Sequence, residues 1–341
     1  MGAGERAGWS VPTVEPCAYY PGLAARGLEE VSDDLAALDS GGRWAVAISF
    51  EGAVVCARFR SWGAQSAPGG PWSGVRGAWS TSLDQEGYES AVGAVKEHIA
   101  RGWVYQVNLC RVLEAACPAG HLLGLYRGLT DMQGAFAGLL NLPDHGVHIA
   151  SASPERFLSR AGDRISSSPI KGTADRSDGF LPKDRAENVM IVDLVRNDLG
   201  RVAAVGSVAV PELMRVQPYP GLFHLESTVT ADVPGASWAQ ILSATFPPGS
   251  VSGAPKVSAL QVIRAVEPVP RQWYCGVFGW IDADAGRAEL GVAIRTFWLE
   301  AGRLRFGTGA GITWGSDPAG EWQETVLKAQ RLIGIAESVA G

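Results

Sequence analysis

With 341 residues, 46% of them hydrophobic and 19% charged, the chain can bury a sizeable core and is not a disordered polymer. Its net charge of −6, with no run of Lys or Arg, argues against nucleic acid as a partner, and no apolar stretch approaches the length of a membrane span. The 43 glycines and 20 prolines favour turns and strands over a helical bundle.

Residues 1 to about 75 alternate short apolar runs with turns, and Met1 to Pro16 has no apolar signal core. Trp44 to Phe50 and Ala53 to Phe59 read as two strands about a turn at Glu51-Gly52. Ser61 to Ser80, rich in Gly, Pro, Ser and Trp, reads as a loop. Tyr88, Val92, Val95 and Ile99 fall at helical spacing before a stop at Gly102. Strands follow at Val104 to Leu113 and through His148 to Ser153. Lys183 to Leu199 reads as a helix whose apolar residues Val189, Met190, Ile191, Val192, Leu194 and Val195 predict burial on most sides. Gly276 to Asp282, Glu289 to Glu300 and Arg303 to Phe306 read as strands. A last helix starts near Asp317, which can cap it, and runs to about Ser338. This mixture predicts an α+β fold.

The five cysteines, Cys17, Cys56, Cys110, Cys117 and Cys275, are odd in number and lack a CxxC pair, which fits reduced thiols in a cytoplasmic protein. Cys117 and His121 have metal-ligand chemistry but no second pair to complete a site.

Three features carry chemistry. Glu187 has Met190, Ile191 and Leu194 on its helical face, where a carboxylate is costly unless paired or bound to metal. Glu321, Glu324 and Lys328 share one face of the last helix. Carboxylates from two helices would suit Mg2+; a helix-terminal Glu and a solvated Glu–Lys pair are the structural alternatives. The run Gly307-Thr308-Gly309-Ala310-Gly311 either lets backbone amides approach an anion or forms a tight hairpin turn.

The ordered strings Tyr105-Gln-Val-Asn-Leu109, Ser153-Pro-Glu-Arg-Phe157, Pro169-Ile-Lys-Gly-Thr173, Asp184-Arg-Ala-Glu-Asn188, Val192-Asp-Leu-Val-Arg-Asn-Asp-Leu-Gly-Arg-Val202, Gly249-Ser-Val-Ser-Gly-Ala-Pro-Lys256, Ala293-Ile-Arg-Thr296 and Glu321-Trp-Gln-Glu-Thr325 resemble one family. It is the chorismate-binding enzymes, which include anthranilate synthase component I, aminodeoxychorismate synthase component I and isochorismate or salicylate synthases. The resemblance covers roughly residues 78 to 340, so residues 1–77 read as a divergent N-terminal part of the same fold and residues 78–341 as the catalytic region. It implies a two-lobed fold with large antiparallel sheets and helices around a central cleft. It also implies chorismate as substrate, Mg2+ held directly by Glu187 and Glu324, and Glu321 as an outer carboxylate. Arg295, Lys328, Thr173 and the backbone of Gly309, Ala310 and Gly311 match substrate-carboxylate contacts. His224 matches a histidine near the reacting ring, and Glu155 the general acid/base.

Two positions divide the family. Where isochorismate and salicylate synthases have a lysine that activates water, this chain has Gln106, and an amide cannot take a proton from water. Where anthranilate synthases typically have alanine, it has Lys171, as aminodeoxychorismate synthases do. The resemblance therefore implies that Lys171 adds to chorismate, that Glu155 protonates the departing hydroxyl, and that ammonia displaces Lys171 to give 4-amino-4-deoxychorismate. Lys171 must be neutral to attack. Anthranilate synthase component I is the second reading; a water-adding synthase and an inactive scaffold subunit follow. None of the cysteines has the setting of a glutaminase nucleophile, so a separate glutamine amidotransferase subunit is expected to supply ammonia. Two departures from the family pattern stand out. The connection from Lys171 to Glu187 is short, and after Leu109 the expected Thr/Ala–polar–Arg order is replaced by Cys110-Arg111-Val112.

Overall fold

The computed structural model describes residues 14–65, 70–219 and 222–338. Most of the Met1 to Pro16 stretch, and the middle of the loop expected between Ser61 and Ser80, lie outside the described residues. Strands β1 (Cys17–Tyr20), β2 (Leu23–Ser32), β3 (Arg43–Ile48), β4 (Val54–Gly63) and β5 (Arg76–Thr81) precede helix α1 (Gln85–Ala100). Then come β6 (Gln106–Ala116), α2 (Leu123–Thr130), β7 (Phe136–Leu142), β8 (Val147–Ser153), β9 (Arg156–Ala161), β10 (Arg164–Ser168) and β11 (Ile170–Ala174). Helix α3 (Pro182–Gly200) leads to β12 (Ala209–Tyr219), β13 (Leu222–Asp232), α4 (Trp238–Thr245), the short β14 (Gly253–Ala254) and α5 (Lys256–Val266). The chain closes with β15 (Val277–Asp282), β16 (Arg287–Val292), β17 (Thr296–Glu300), β18 (Arg303–Ile312) and α6 (Pro318–Glu337). No helix among the described residues is long and apolar enough to cross a membrane.

The strands form one antiparallel ladder in the order β5–β6–β18–β17–β8–β7–β1–β2–β4–β3–β15–β16–β9–β10–β13. Strands β10 and β11 follow one another along β13, β12 takes its other edge, and β14 adds to β6. The ladder curls until distant strands touch. Tyr20 on β1 donates its hydroxyl to the Gly279 carbonyl on β15 at 2.6 Å. Gly138 on β7 sits where a Cβ would overlap Phe278 and Tyr20, so only glycine lets the two layers close. The α+β expectation is met: helices and strands are mixed around a large curled antiparallel sheet.

Helices cover the sheet in pairs. Helices α3 and α4 bury Ile191, Val192, Val195, Leu199, Trp238, Ile241 and Leu242 in the largest core. Each of these α3 side chains contributes about 2 kcal/mol by leaving water. Helices α2 and α6 cover a second core, and α1 and α5 a third. Asp84 caps α1 by accepting from the Gly87 amide, and Asp317 caps α6 by accepting from Gly320. The α1 stop falls as expected, with Gly102 at φ +71°.

Four local expectations change. Helix α3 is buried on one face, Asn188, Ile191, Val192, Val195, Asp198 and Leu199, not on most sides; Val189 is 48% exposed. Its apolar residues cluster in sequence, but the 3.6-residue turn sends Val189 outward. The stretch from Glu289 to Glu300 is two strands, broken at residues 293–295, where Arg295 takes φ +52°. The ends of the expected loop are strand: β4 runs to Gly63 and β5 begins at Arg76. The glycine run is neither a turn nor a loop. It lies within β18, with Gly307, Thr308, Gly309, Ala310 and Gly311 in register with Val112 back to Asn108 on β6.

Candidate active site

The expected site residues come from the start of β6, the end of β18, the β11–β13 pair, the segment after β8, and the facing helices α3 and α6. Strand alternation puts Gln106, Asn108 and Cys110 on one face of β6, where Asn108 donates to the Cys110 sulfur at 3.1 Å. Gln106 is 1% exposed, and neither atom of its amide has a hydrogen-bond partner among the described residues. Gly311 is what makes room for it. A Cβ at Gly311 would overlap Gln106 Nε2 and lie 3.6 Å from Lys171 Nζ.

Strand β17 accompanies β18 only as far as Phe306, and beyond it no strand among the described residues pairs with that open edge. Lys328 on α6 donates to the Gly309 carbonyl on that edge at 3.0 Å. In an antiparallel strand a residue's amide and carbonyl point the same way. The amides of Gly309 and Gly311 therefore face the open edge, while Ala310 faces β6 and is spent in the ladder.

Lys171 stands at a bulge. Ile170 pairs with Glu226 and Thr173 with His224, so Lys171 and Gly172 together oppose Leu225. Gly172 takes φ +93°, and a Cβ there would press on Asp184 in the first turn of α3. The Lys171 charge reaches the carboxylates of Glu155, Glu187 and Glu324. Thr173 Oγ1 lies 2.9 Å from His224 Nδ1, and Tyr219 meets the imidazole edge-on with 4.7 Å between ring centroids. Burial, reinforced by the Arg295 charge, pushes His224 down to about 4, so the ring is neutral near pH 7. Its Nε2 is buried and has no hydrogen-bond partner among the described residues.

Glu155 follows β8 and is 4% exposed. Burial raises its carboxyl to about 7, against the opposing effects of a Ser250 hydrogen bond and the Lys171 charge. That is the range in which a carboxyl can both give and take a proton near neutrality. Arg295 projects from the break between β16 and β17, and burial, then the Arg331 charge, lowers its affinity for its proton.

The helices bring the three glutamates into electrostatic contact. Glu187 is raised chiefly by burial, and the Glu324 charge adds to this. Glu321 is raised by burial and by Glu324, while accepting from Ser316 Oγ at 2.6 Å. Burial also acts upward on Glu324, but Lys328, 2.6 Å away, together with the charges of Lys183 and Lys171, outweighs it and holds the carboxyl low. No three His, Cys, Asp or Glu side chains converge tightly enough to cage a metal among the described residues. Cys117 and His121 form no such group; Cys117 packs in the second core.

Arg111 accounts for one departure in the motifs. It is buried, lies 4.2 Å from the Trp322 ring centroid, and donates to Thr325 and Thr81, tying β6 to α6. Sequence reasoning missed Ser250, Lys183, Tyr219 and the structural part played by Asn188. Ser250 and Asn188 lie inside quoted motifs, but only the folded chain shows what they touch.

Fold and site together define an enzyme family. The family model for chorismate binding enzyme matches residues 57–334. The chain is 40% identical over 290 residues to aminodeoxychorismate synthase component 1 of Klebsiella aerogenes, covering 81% of this chain and 63% of that one. It is 36% identical over 311 residues to the Salmonella typhimurium protein of the same name, covering 85% and 68% respectively. Among solved structures, anthranilate synthase component I from Streptococcus pneumoniae superposes with a TM-score of 0.78 at 21% identity, covering 97% of this chain and 95% of that one. The chain belongs to the chorismate-binding enzymes. It spans a little under two thirds of the first relative's length.

Proposed function

We propose that this chain is an aminodeoxychorismate synthase component 1, converting chorismate and ammonia to 4-amino-4-deoxychorismate. The observation that carries this reading is the buried Gln106 amide, without a hydrogen-bond partner among the described residues, which shares the space next to Gly311 with the Lys171 amine. An amine is available to attack the ring, and no base stands at Gln106 to activate water. The relatives' names support the same reading.

Arg295, Lys328, Thr173 and the open edge of β18 at Gly309 and Gly311 would receive the substrate's carboxylates. Lys171 adds at ring carbon 2 as the carbon-4 hydroxyl leaves, and Glu155, protonated, gives that oxygen its proton. The neutral His224 lies beside the ring and can donate or accept a hydrogen bond without adding charge. Ammonia then adds at carbon 4 and the Lys171 nitrogen departs from carbon 2, which restores the amine.

The carboxylate donors fit Mg2+, a hard cation that takes a few carboxylates and fills its remaining positions with water and anionic substrate. Glu187 and Glu324 would hold it directly and Glu321 through water. When bound, the ion would anchor and polarise a substrate carboxylate. The component 1 names support a second subunit, which we take to be a glutamine amidotransferase delivering ammonia. Five free, buried cysteines support a cytoplasmic setting.

Product identification tests the reading. Chorismate, Mg2+ and ammonium salt with the purified chain should yield 4-amino-4-deoxychorismate by mass spectrometry. Anthranilate as sole product would transfer the chain to the other branch of the family.

A further inference from the structure

We infer that Asn188 is a positioning residue for Lys171, bridging the β11 bulge so that the amine is held in register with the metal-ligand helix. This rests on the reading of Lys171 as nucleophile. Where Lys171 and Gly172 oppose the single residue Leu225, the regular ladder is interrupted, and local carbonyls need other donors. The Asn188 amide nitrogen supplies them. It lies 3.1 Å from the Leu225 carbonyl and 3.4 Å from the Lys171 carbonyl, one from each strand at the bulge.

The other end of the same amide is fixed as well. Asn188 Oδ1 accepts from Ser227 Oγ at 2.6 Å, and Ser227 Oγ accepts from the Met214 amide at 2.8 Å. Met214 is itself at φ +54°, at a register shift between β12 and β13. A single side chain, 1% exposed and bonded at both ends, thus ties α3 to β11, β13 and β12. It follows Glu187 directly in sequence, so the element that offers a carboxylate to the metal also fixes the backbone of the nucleophile. Asn188 touches no reacting atom in this arrangement; it acts through the Lys171 backbone. Misplacement of a reacting group by about 1 Å can cost on the order of 100-fold in rate, which sets the scale of the effect.

The test uses the purified full chain with Asn188→Ala, Asn188→Asp and Ser227→Ala. Asn188→Asp keeps the shape but removes both donors. Ser227→Ala leaves Asn188 in place and removes the bond that orients it, so it reports even where the Asn188 variants fold poorly. Three readouts are taken: kcat against KM for chorismate, the Lys171 adduct in quenched enzyme, and acetylation of Lys171 relative to Lys183 by an amine-acylating reagent in the native state. Both Asn188 variants should lose about 10- to 100-fold in kcat with KM changed less than about threefold, and should lose adduct in parallel. Lys171 should acetylate about threefold faster or more, because its backbone opens locally. Ser227→Ala should shift all three the same way by a smaller factor. A merely structural role would lower the melting temperature while leaving kcat and adduct per folded molecule unchanged. That result, with Lys171 acetylation at the wild-type rate, would overturn the inference. A wild type with no adduct at all refutes the nucleophile reading instead, and the acetylation comparison still decides whether Asn188 holds Lys171.

Discussion

Gln106 and Lys171 converge on one glycine. A side chain on Gly311 would overlap the Gln106 amide and stand 3.6 Å from the Lys171 amine. The two positions that the family resemblance marks as dividing its branches, 65 apart in sequence, therefore stand on the same side of Gly311. Gly311 has ordinary backbone angles, so an added methyl is resisted by contact and not by conformation. Gly311→Ala should fold with little loss of stability but lose tenfold or more of its activity, on the order expected for displaced reacting groups. Steady-state kinetics with circular dichroism checks this; wild-type turnover would show that the contact is not part of the site.

Glu155 sets a pH limit. Its carboxyl is raised to about 7 by burial, so the proton it would donate in the proposed reaction is lost above that pH. Turnover per unit of free ammonia should fall as pH rises through about 7. The same shift bears on stability. Between about 4.5 and 7 the folded chain holds a proton that the unfolded chain has released, so stability falls as pH rises through this window. Glu155→Gln should remove that slope, which amounts to on the order of 3 kcal/mol by pH 7. Denaturant melts at pH 5 and 8 would show equal slopes in wild type and variant if Glu155 were an ordinary carboxylate.

His224 has the opposite sign. Its folded pKa is lowered to about 4, chiefly by burial, so between 6.5 and 4 the unfolded chain takes up a proton that the folded chain refuses. Its contribution, on the order of 3 kcal/mol, should be present above pH 6.5 and lost as pH falls to 4. His224→Gln should flatten this part of the stability profile. The imidazole NMR signals should show a neutral ring at pH 6; a titration near 6.5 would contradict the assigned burial.

The proposed metal dependence would rest on Glu187, Glu324 and Glu321. Excess EDTA should abolish turnover, and added Mg2+ should restore it. Glu187→Gln should cost on the order of 100-fold or more at low Mg2+ and recover partly as Mg2+ is raised, because a weakened ligand lowers occupancy before it alters chemistry. Full turnover in excess chelator would remove the metal from the mechanism.

The elements that were legible in the sequence are those whose pattern reflects one local cause. Helix α1 announced itself by Tyr88, Val92 and Val95 and by its glycine stop, and α6 by Asp317 and Pro318. The hairpin of β3 and β4 showed in its apolar runs and in Gly52, at φ +96°. The motifs carried the residues that line the candidate site. What was not legible depends on partners remote in sequence. The glycine run looks like an anion-binding stretch or a tight hairpin turn because nothing local says that β6 pairs along its whole length. Asn188 looks like one more polar residue of α3 until Lys171, Leu225 and Ser227 are placed around it. Likewise, Val189 looks like core because its apolar neighbours flank it in sequence, not in space.

The central claim is that Lys171 becomes covalently attached to the substrate, and intact-protein mass spectrometry of enzyme quenched during turnover tests it most directly. With chorismate and Mg2+ present, wild type should carry an added mass equal to chorismate less one water, mapped to the peptide containing Lys171. Lys171→Ala should carry none and should retain its fold while losing most activity. The same adduct mass on wild type and Lys171→Ala would contradict the claim.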